Sequence, residues 1–248
     1  MDLPDTLVMV SIAMMLAFIA SKLKIAGFFA WFTFGIAWLL KVPYYLSIGD
    51  YYNVVVLSLA FAFFLAVAIR IIRTDKLDVF IDVTSFSAVA ALVYFTFALT
   101  PLGNMLIHAV ATQTALVGST LGFGMVSDGE MLFANSKRVE IILACTGIES
   151  MALFTGATLG IKAEWRRKVK AFLISVPVIY ILNILRNVFV MASYAYSWFG
   201  ENSFYIAHHV ISKFLATIAL ILISLAVFRF LPELEELIFS LKDSMVGR

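Results

Sequence analysis

Seven apolar segments, at residues 5–21, 25–40, 53–72, 83–107, 139–161, 169–198 and 208–231, take up most of this chain. A bilayer core about 30 Å thick needs roughly 20 mostly apolar residues per helix, and these segments are of that order. Composition agrees: 62% of the residues are hydrophobic and 14% charged, whereas a soluble domain carries about 25% charged residues. A chain of 248 residues could not hide so much apolar surface from water in a core of its own. The expected fold class is all-α integral membrane protein, with about seven transmembrane helices and residues 1–248 forming a single transmembrane domain.

The links between segments sharpen that expectation. The tight loop at Lys22–Lys24 makes the first two segments a hairpin, and Pro177 inside the sixth can kink a helix but is tolerated in a membrane. The acidic N-terminus (Asp2, Asp5) runs straight into apolar sequence without a basic leader, so no removable signal peptide is expected. Lys22, Lys24, Arg70, Arg73, Lys76, Lys162, Arg166, Arg167, Lys168, Lys170, Arg229, Lys242 and Arg248 fall on one side of the seven-span alternation. Only Lys41, Lys137, Arg138 and Lys213 fall on the other. Basic loops stay cytoplasmic, so the N-terminus is expected outside and the C-terminus inside. The long outer loop, 108–138, is rich in Gly, Ser and Thr. Its Asp128-Gly129 pair, flanked by apolar residues, predicts a short β-hairpin near 121–136 after a partly buried amphipathic stretch.

Several function classes drop out. No basic face exists outside short loops, which argues against nucleic-acid binding. The one cysteine, Cys145, cannot form an internal disulfide. No metal site is evident, since two of the three histidines are adjacent (His208, His209) and His108 lies far along the chain. No glycine loop for a phosphate and no cofactor motif is seen, and nothing in the sequence speaks to oligomeric state.

Polar groups inside membrane spans are costly and raise a functional question by default. Cys145 lies in ILACTGIES, early in the fifth span and about 9 Å below its outer end if that span is helical. Thr146 and Gly147 follow it and leave room for a substrate backbone. Arg186, in NILRNVFVM, sits in the outer half of the sixth span, where an Arg costs about 2.5–3.5 kcal/mol on insertion scales. Asn183 and Asn187 lie on nearly the same face. His208 and His209 open the seventh span in FYIAHHVISKF. Each has an ordinary reading: Cys145 as a small buried hydrophobe, Arg186 as an ion-pair partner of Glu149 or a snorkelling side chain, the histidines as interfacial residues. Together they bring a thiol, a guanidinium and an imidazole to similar depth at one face. A thiol attacks only as thiolate, which burial disfavours and a nearby cation restores.

The order ACTGIES, LRN and FYIAHHVIS resembles the exosortase/archaeosortase family, its archaeosortase branch most closely, over roughly residues 83–240 and through LPELEEL. The resemblance implies a membrane cysteine protease–transpeptidase of the cell envelope. Its partners would be secreted proteins carrying a C-terminal sorting signal, in that branch with a Pro-Gly-Phe motif, and a prenyl-derived membrane lipid as acceptor. The family's cysteine maps to Cys145 and its first basic residue to Arg186. The third position, Arg in many archaeosortases and His in exosortases, maps to His209, with His208 adjacent. Glu149, one turn beyond Cys145, would support Arg186 or the substrate, as would Thr146, Gly147, Asn183, Asn187 and His208. The expected mechanism is Cys145 attack, charge stabilisation by Arg186, amine protonation by His209 and a thioester resolved by lipid. The alternative is a small transporter or channel with Arg186 as an anion site. A further alternative, a plain intramembrane protease or acyltransferase, differs only in the acceptor.

Overall fold

The structure, a computed structural model, describes residues 2–246, and Arg248 of the charge pattern lies outside them. Among the described residues, six helical segments are long and apolar enough to cross a membrane: Leu3–Ser21, Lys24–Ser47, Tyr51–Arg73, Asp78–Leu99, Trp165–Ala195 and Gly200–Phe230. The protein is a multi-pass, mostly helical membrane protein with one small sheet. Its chain divides into two compact units.

Among the described residues, the first unit comprises 2–92, 159–162 and 232–246. Helices α1 (Leu3–Ser21), α2 (Lys24–Leu39) and α4 (Tyr51–Arg73) pack around Phe18, Trp31 and Ile71, and α3 (Val42–Ser47) is a short link. Buried polar groups are satisfied: Trp31 Nε1 donates to Thr84 Oγ1 at 2.9 Å, and Thr84 donates back to the Phe80 carbonyl at 2.6 Å. Past the last span, α11 (Pro232–Val246) lays Leu237, Leu241 and Met245 against this core at one-turn spacing. The sequence reading placed no helix there.

The second unit comprises residues 93–158 and 163–231 and departs from the expected spans in two places. The segment 83–107 does not run through. Helix α5 (Asp78–Leu99) stops before Pro101, whose missing N–H and ring disfavour continuing the helix, and α6 (Leu102–Thr120) begins there. At Gly103, a methyl group would run into the Phe97 carbonyl oxygen, so only glycine allows so close a turn. Helix α6 thus fills much of the segment read as outer loop.

The expected hairpin is present and gains a strand. Strands β1 (Val126–Asp128), β2 (Met131–Ala134) and β3 (Lys137–Glu140) form an antiparallel sheet with Asp128 opposite Met131 and Ala134 opposite Lys137. Gly129 takes φ +59° in the first turn. Asn135 and Ser136, at φ +43° and +64°, make the second, the left-handed pair that a two-residue hairpin needs. Leu132 and Ala134 alternate inward against Val188, Met191 and Ala192 of α8 (Trp165–Ala195). Asn135 Nδ2 donates to the Ala195 carbonyl at 3.0 Å, pinning the sheet to that helix end.

The second departure follows from β3. The segment 139–161 is not one helix: it leaves the sheet extended, makes a 3-10 turn over Leu143–Thr146, passes through left-handed Gly147 and becomes helical only in α7 (Ile148–Leu159). Those 12 helical residues span about 18 Å, short of the bilayer core's ~30 Å. The chain ahead of the last span also deviates. After α9 (Ser203–Tyr205), Ile206–Ile211 form a wide π-type turn that feeds α10 (Ser212–Phe230).

Candidate active site

Cys145 sits in the 3-10 turn, on the backbone between sheet and α7. Its N–H donates to the Ile142 carbonyl at 2.8 Å. Thr146 Oγ1 donates to the Leu143 carbonyl at 2.7 Å and accepts from Ile148 N–H at 3.3 Å. Gly147 closes the turn at φ +77°, ψ +8°. A Cβ there would lie 3.2–3.4 Å from three atoms of the Asn183 side chain, so glycine is favoured twice over, by conformation and by contact.

That contact matters because α8 holds the turn. Asn183 Nδ2 and Asn187 Nδ2 both donate to the Cys145 carbonyl, at 2.7 and 3.0 Å. The two amides are four residues apart and share a helix face, with Arg186 beside them. The carbonyl is doubly accepted, which fixes the peptide carrying Cys145. The thiol is free and half-buried, packed against the buried cluster of Val110, Ala111, Ile141 and Ile184.

Arg186 is half-buried and forms no ion pair with a carboxylate among the described residues. Its Nη2 lies 3.3 Å from His208 Nδ1. A guanidinium only donates. The contact is therefore favourable when Nδ1 is bare and the neutral ring carries its proton on Nε2. Phe204 stacks on the same imidazole, with centroids 5.2 Å apart and planes at 10°.

Of the two histidines, His208 faces Arg186 and His209 does not. His209 is exposed and lies against Tyr205 at 5.3 Å. Both sit in the π-type turn, where an extra residue per turn shifts which side chains face inward, so α-helical spacing does not decide between them. Glu149 is exposed and does not pair with Arg186. Thr146 serves the turn itself.

Two cavities meet these residues. The smaller, about 190 Å³, is lined by Cys145, Asn187, His208 and Phe204, with Val139 and Glu140 of β3 as part of its wall. The larger, about 410 Å³, runs along α8 and α10 and is lined by Gly147, Asn183 and Arg186 at its polar part. Glu140, Phe204 and Ser212, also on these walls, were not singled out by sequence. Glu140 was hidden because it was read as the start of a span.

The sequence matches the transmembrane exosortase family over residues 5–225. Archaeosortase A of Haloferax volcanii is 29% identical over 242 residues, covering 83% of this chain and 80% of its own length. Archaeosortase A of Natronomonas pharaonis is 30% identical over 182 residues, covering 60% of this chain and 58% of its own length. No solved structure gives a significant match.

Proposed function

We propose that this chain, which belongs to the transmembrane exosortase family, is a membrane-embedded cysteine transpeptidase that processes secreted proteins bearing a C-terminal sorting signal. Similarity to two proteins named archaeosortase A supports that reading. The signal is a Pro-Gly-Phe type motif followed by a transmembrane tail, and the product's new C-terminus passes to a prenyl-derived membrane lipid. Arg166, Arg167, Lys168 and Lys170 at the start of α8 and Arg229 at the end of α10 mark the cytoplasmic ends of these helices, and Arg186 and His208 lie towards the other ends, which supports an active site on the extracellular side.

The observation that carries the proposal is that Cys145 and His208 line one cavity while Arg186 touches His208. The scissile carbonyl enters that cavity beneath β3. The Cys145 sulfur attacks it, and the C–N bond breaks after the tetrahedral intermediate forms. The thiol's proton ends on the departing amine, and a thioester remains on Cys145. Arg186 stabilises the attacking thiolate. His208, whose Nδ1 accepts from Arg186, presents its Nε2–H to the oxyanion. A single donor of that kind is worth about 2.7–4 kcal/mol, or roughly 10²–10³ in rate. An Arg at the same position would donate equally well, so this role agrees with the Arg–His alternation that the family resemblance implies. The histidine of this reading is thus His208, in place of the His209 expected from sequence.

The test is processing of a C-terminally tagged substrate in cells lacking the enzyme, complemented with Cys145→Ala or Cys145→Ser at matched protein levels. Both variants leave the tag on. Complete processing by Cys145→Ala would remove the covalent mechanism.

A further inference from the structure

The larger cavity has a shape and chemistry of its own. On α10 it is lined by Ser212, Ala216, Ala219 and Ile223, which recur at helical spacing along one face. Two of them end at Cβ, which opens the groove towards α8. On α8 the wall is Ile179, Leu182, Arg186 and Phe189, again one face. From Ser212 to Ile223 the groove runs about 16 Å at 1.5 Å per residue, about half the ~30 Å bilayer core, or one leaflet. A volume of about 410 Å³ lies in the small-molecule range of roughly 300–1,000 Å³. Spread over that length, it leaves a slot narrower than a helix with side chains, whose diameter is about 10–12 Å. The groove suits a hydrocarbon chain better than a protein helix.

One end of the slot carries unspent polar groups. Arg186 has no carboxylate partner among the described residues. Ser212 is 3% exposed, and its hydroxyl has no hydrogen-bond partner among the described residues. Other buried helical hydroxyls here, those of Thr84, Thr158 and Ser175, donate to the carbonyl one turn back at 2.6–2.7 Å. Ser212 follows the π-type turn and makes no such bond. Thr114 and Ser193 are also unpartnered, but neither lines the groove. A buried hydroxyl left unpaired is costly, and in a groove also lined by a guanidinium without a carboxylate partner it asks for an anionic oxygen.

We propose that this groove is a lipid site: one chain of an anionic phospholipid lies between α8 and α10, and its phosphate is received by Arg186 and the Ser212 hydroxyl. On the reading of Cys145 as nucleophile, on which this consequence rests, the lipid is the acyl acceptor. Its headgroup hydroxyl oxygen forms an ester bond to the acyl carbon, the C–S bond breaks, and the hydroxyl proton returns to sulfur. The peptide uses the cavity beneath the sheet and the lipid the groove, both bordering the Arg186–His208 contact.

The experiment uses the full chain with Cys145→Ala in phosphatidylcholine vesicles doped with a phosphatidylglycerol whose prenyl-derived chain carries a mid-chain diazirine. Photolabelling followed by peptide mapping is expected at Ala216 and Ala219, and unlabelled phosphatidylglycerol competes it away. Ala219→Trp fills the slot and abolishes this labelling. Ser212→Ala, which removes a buried unpaired hydroxyl and should fold, weakens it about threefold to tenfold, the worth of one hydrogen bond. Labelling spread equally over the outward residues Leu222 and Leu225 and insensitive to both substitutions would mean annular lipid only and overturns the proposal. So would labelling of the same positions by a diazirine-bearing substrate tail peptide but not by the lipid. With Cys145 restored, Ala219→Trp should accumulate thioester and release no lipid-linked product. If no thioester forms in any variant, the cysteine reading fails while the labelling result still stands by itself.

Discussion

Gly147→Ala probes how the turn carrying Cys145, the proposed nucleophile, is held. At φ +77° a residue with a Cβ sits in the left-handed region at a cost of about 1–2 kcal/mol. The new methyl would meet Asn183 Cγ at 3.2 Å, Cβ at 3.3 Å and Oδ1 at 3.4 Å. Asn183 cannot retreat freely, because its Nδ2 is 2.7 Å from the Cys145 carbonyl. Retreat costs that hydrogen bond, about 0.5–1.5 kcal/mol. The two costs sum to about 1.5–3.5 kcal/mol. Denaturant unfolding in detergent should show a loss in that range. Single-turnover thioester formation should fall by about 10²-fold, the scale of a 1 Å misplacement of a reacting group. In an Asn183→Ala background the hydrogen bond is already gone, so Gly147→Ala costs less there. The shortfall from additivity is about 0.5–1.5 kcal/mol. Strict additivity, or a Gly147→Ala enzyme with unchanged stability and acylation rate, would refute the reasoning.

Further outcomes follow from the same geometry. Asn183→Ala combined with Asn187→Ala leaves the Cys145 carbonyl without side-chain donors, and acylation should fall further than in either single variant at equal expression, read by thioester mass spectrometry. His208→Gln keeps an N–H donor near the Nε2 position but has no acid–base function. It should retain much more of the rate than His208→Ala if His208 acts as a donor, and should equal His208→Ala if proton transfer is its task.

The first three spans and the long α8 were legible because an apolar run of bilayer length admits few other folds. So were Cys145, Arg186 and the two asparagines, because a polar group in such a run needs a reason. What hydropathy cannot do is tell extended from helical apolar chain. Ile141 and Ile142 read as the start of a span, yet they follow β3 out of the sheet. Pro101 was a visible breaker that apolar flanks outweighed. The choice between His208 and His209 was not legible, because the π-type turn at Ile206–Ile211 changes the facing by a residue and leaves no mark in the sequence. Ser212 was passed over for the same reason, as its missing back-bond exists only in three dimensions.

The central claim is that Cys145, Arg186 and His208 act together, with Arg186 bridging two adjoining cavities through its contact with His208, and single-turnover acylation separates it from its nearest rival. The thioester on Cys145 would be quantified by intact-protein mass spectrometry after mixing a tagged sorting-signal peptide with the wild-type, His208→Ala and His209→Ala enzymes in vesicles. The account predicts about a 10²–10³-fold loss for His208→Ala, the worth of one oxyanion donor, and near wild-type acylation for His209→Ala. Equal losses, or the larger loss at His209, would contradict it.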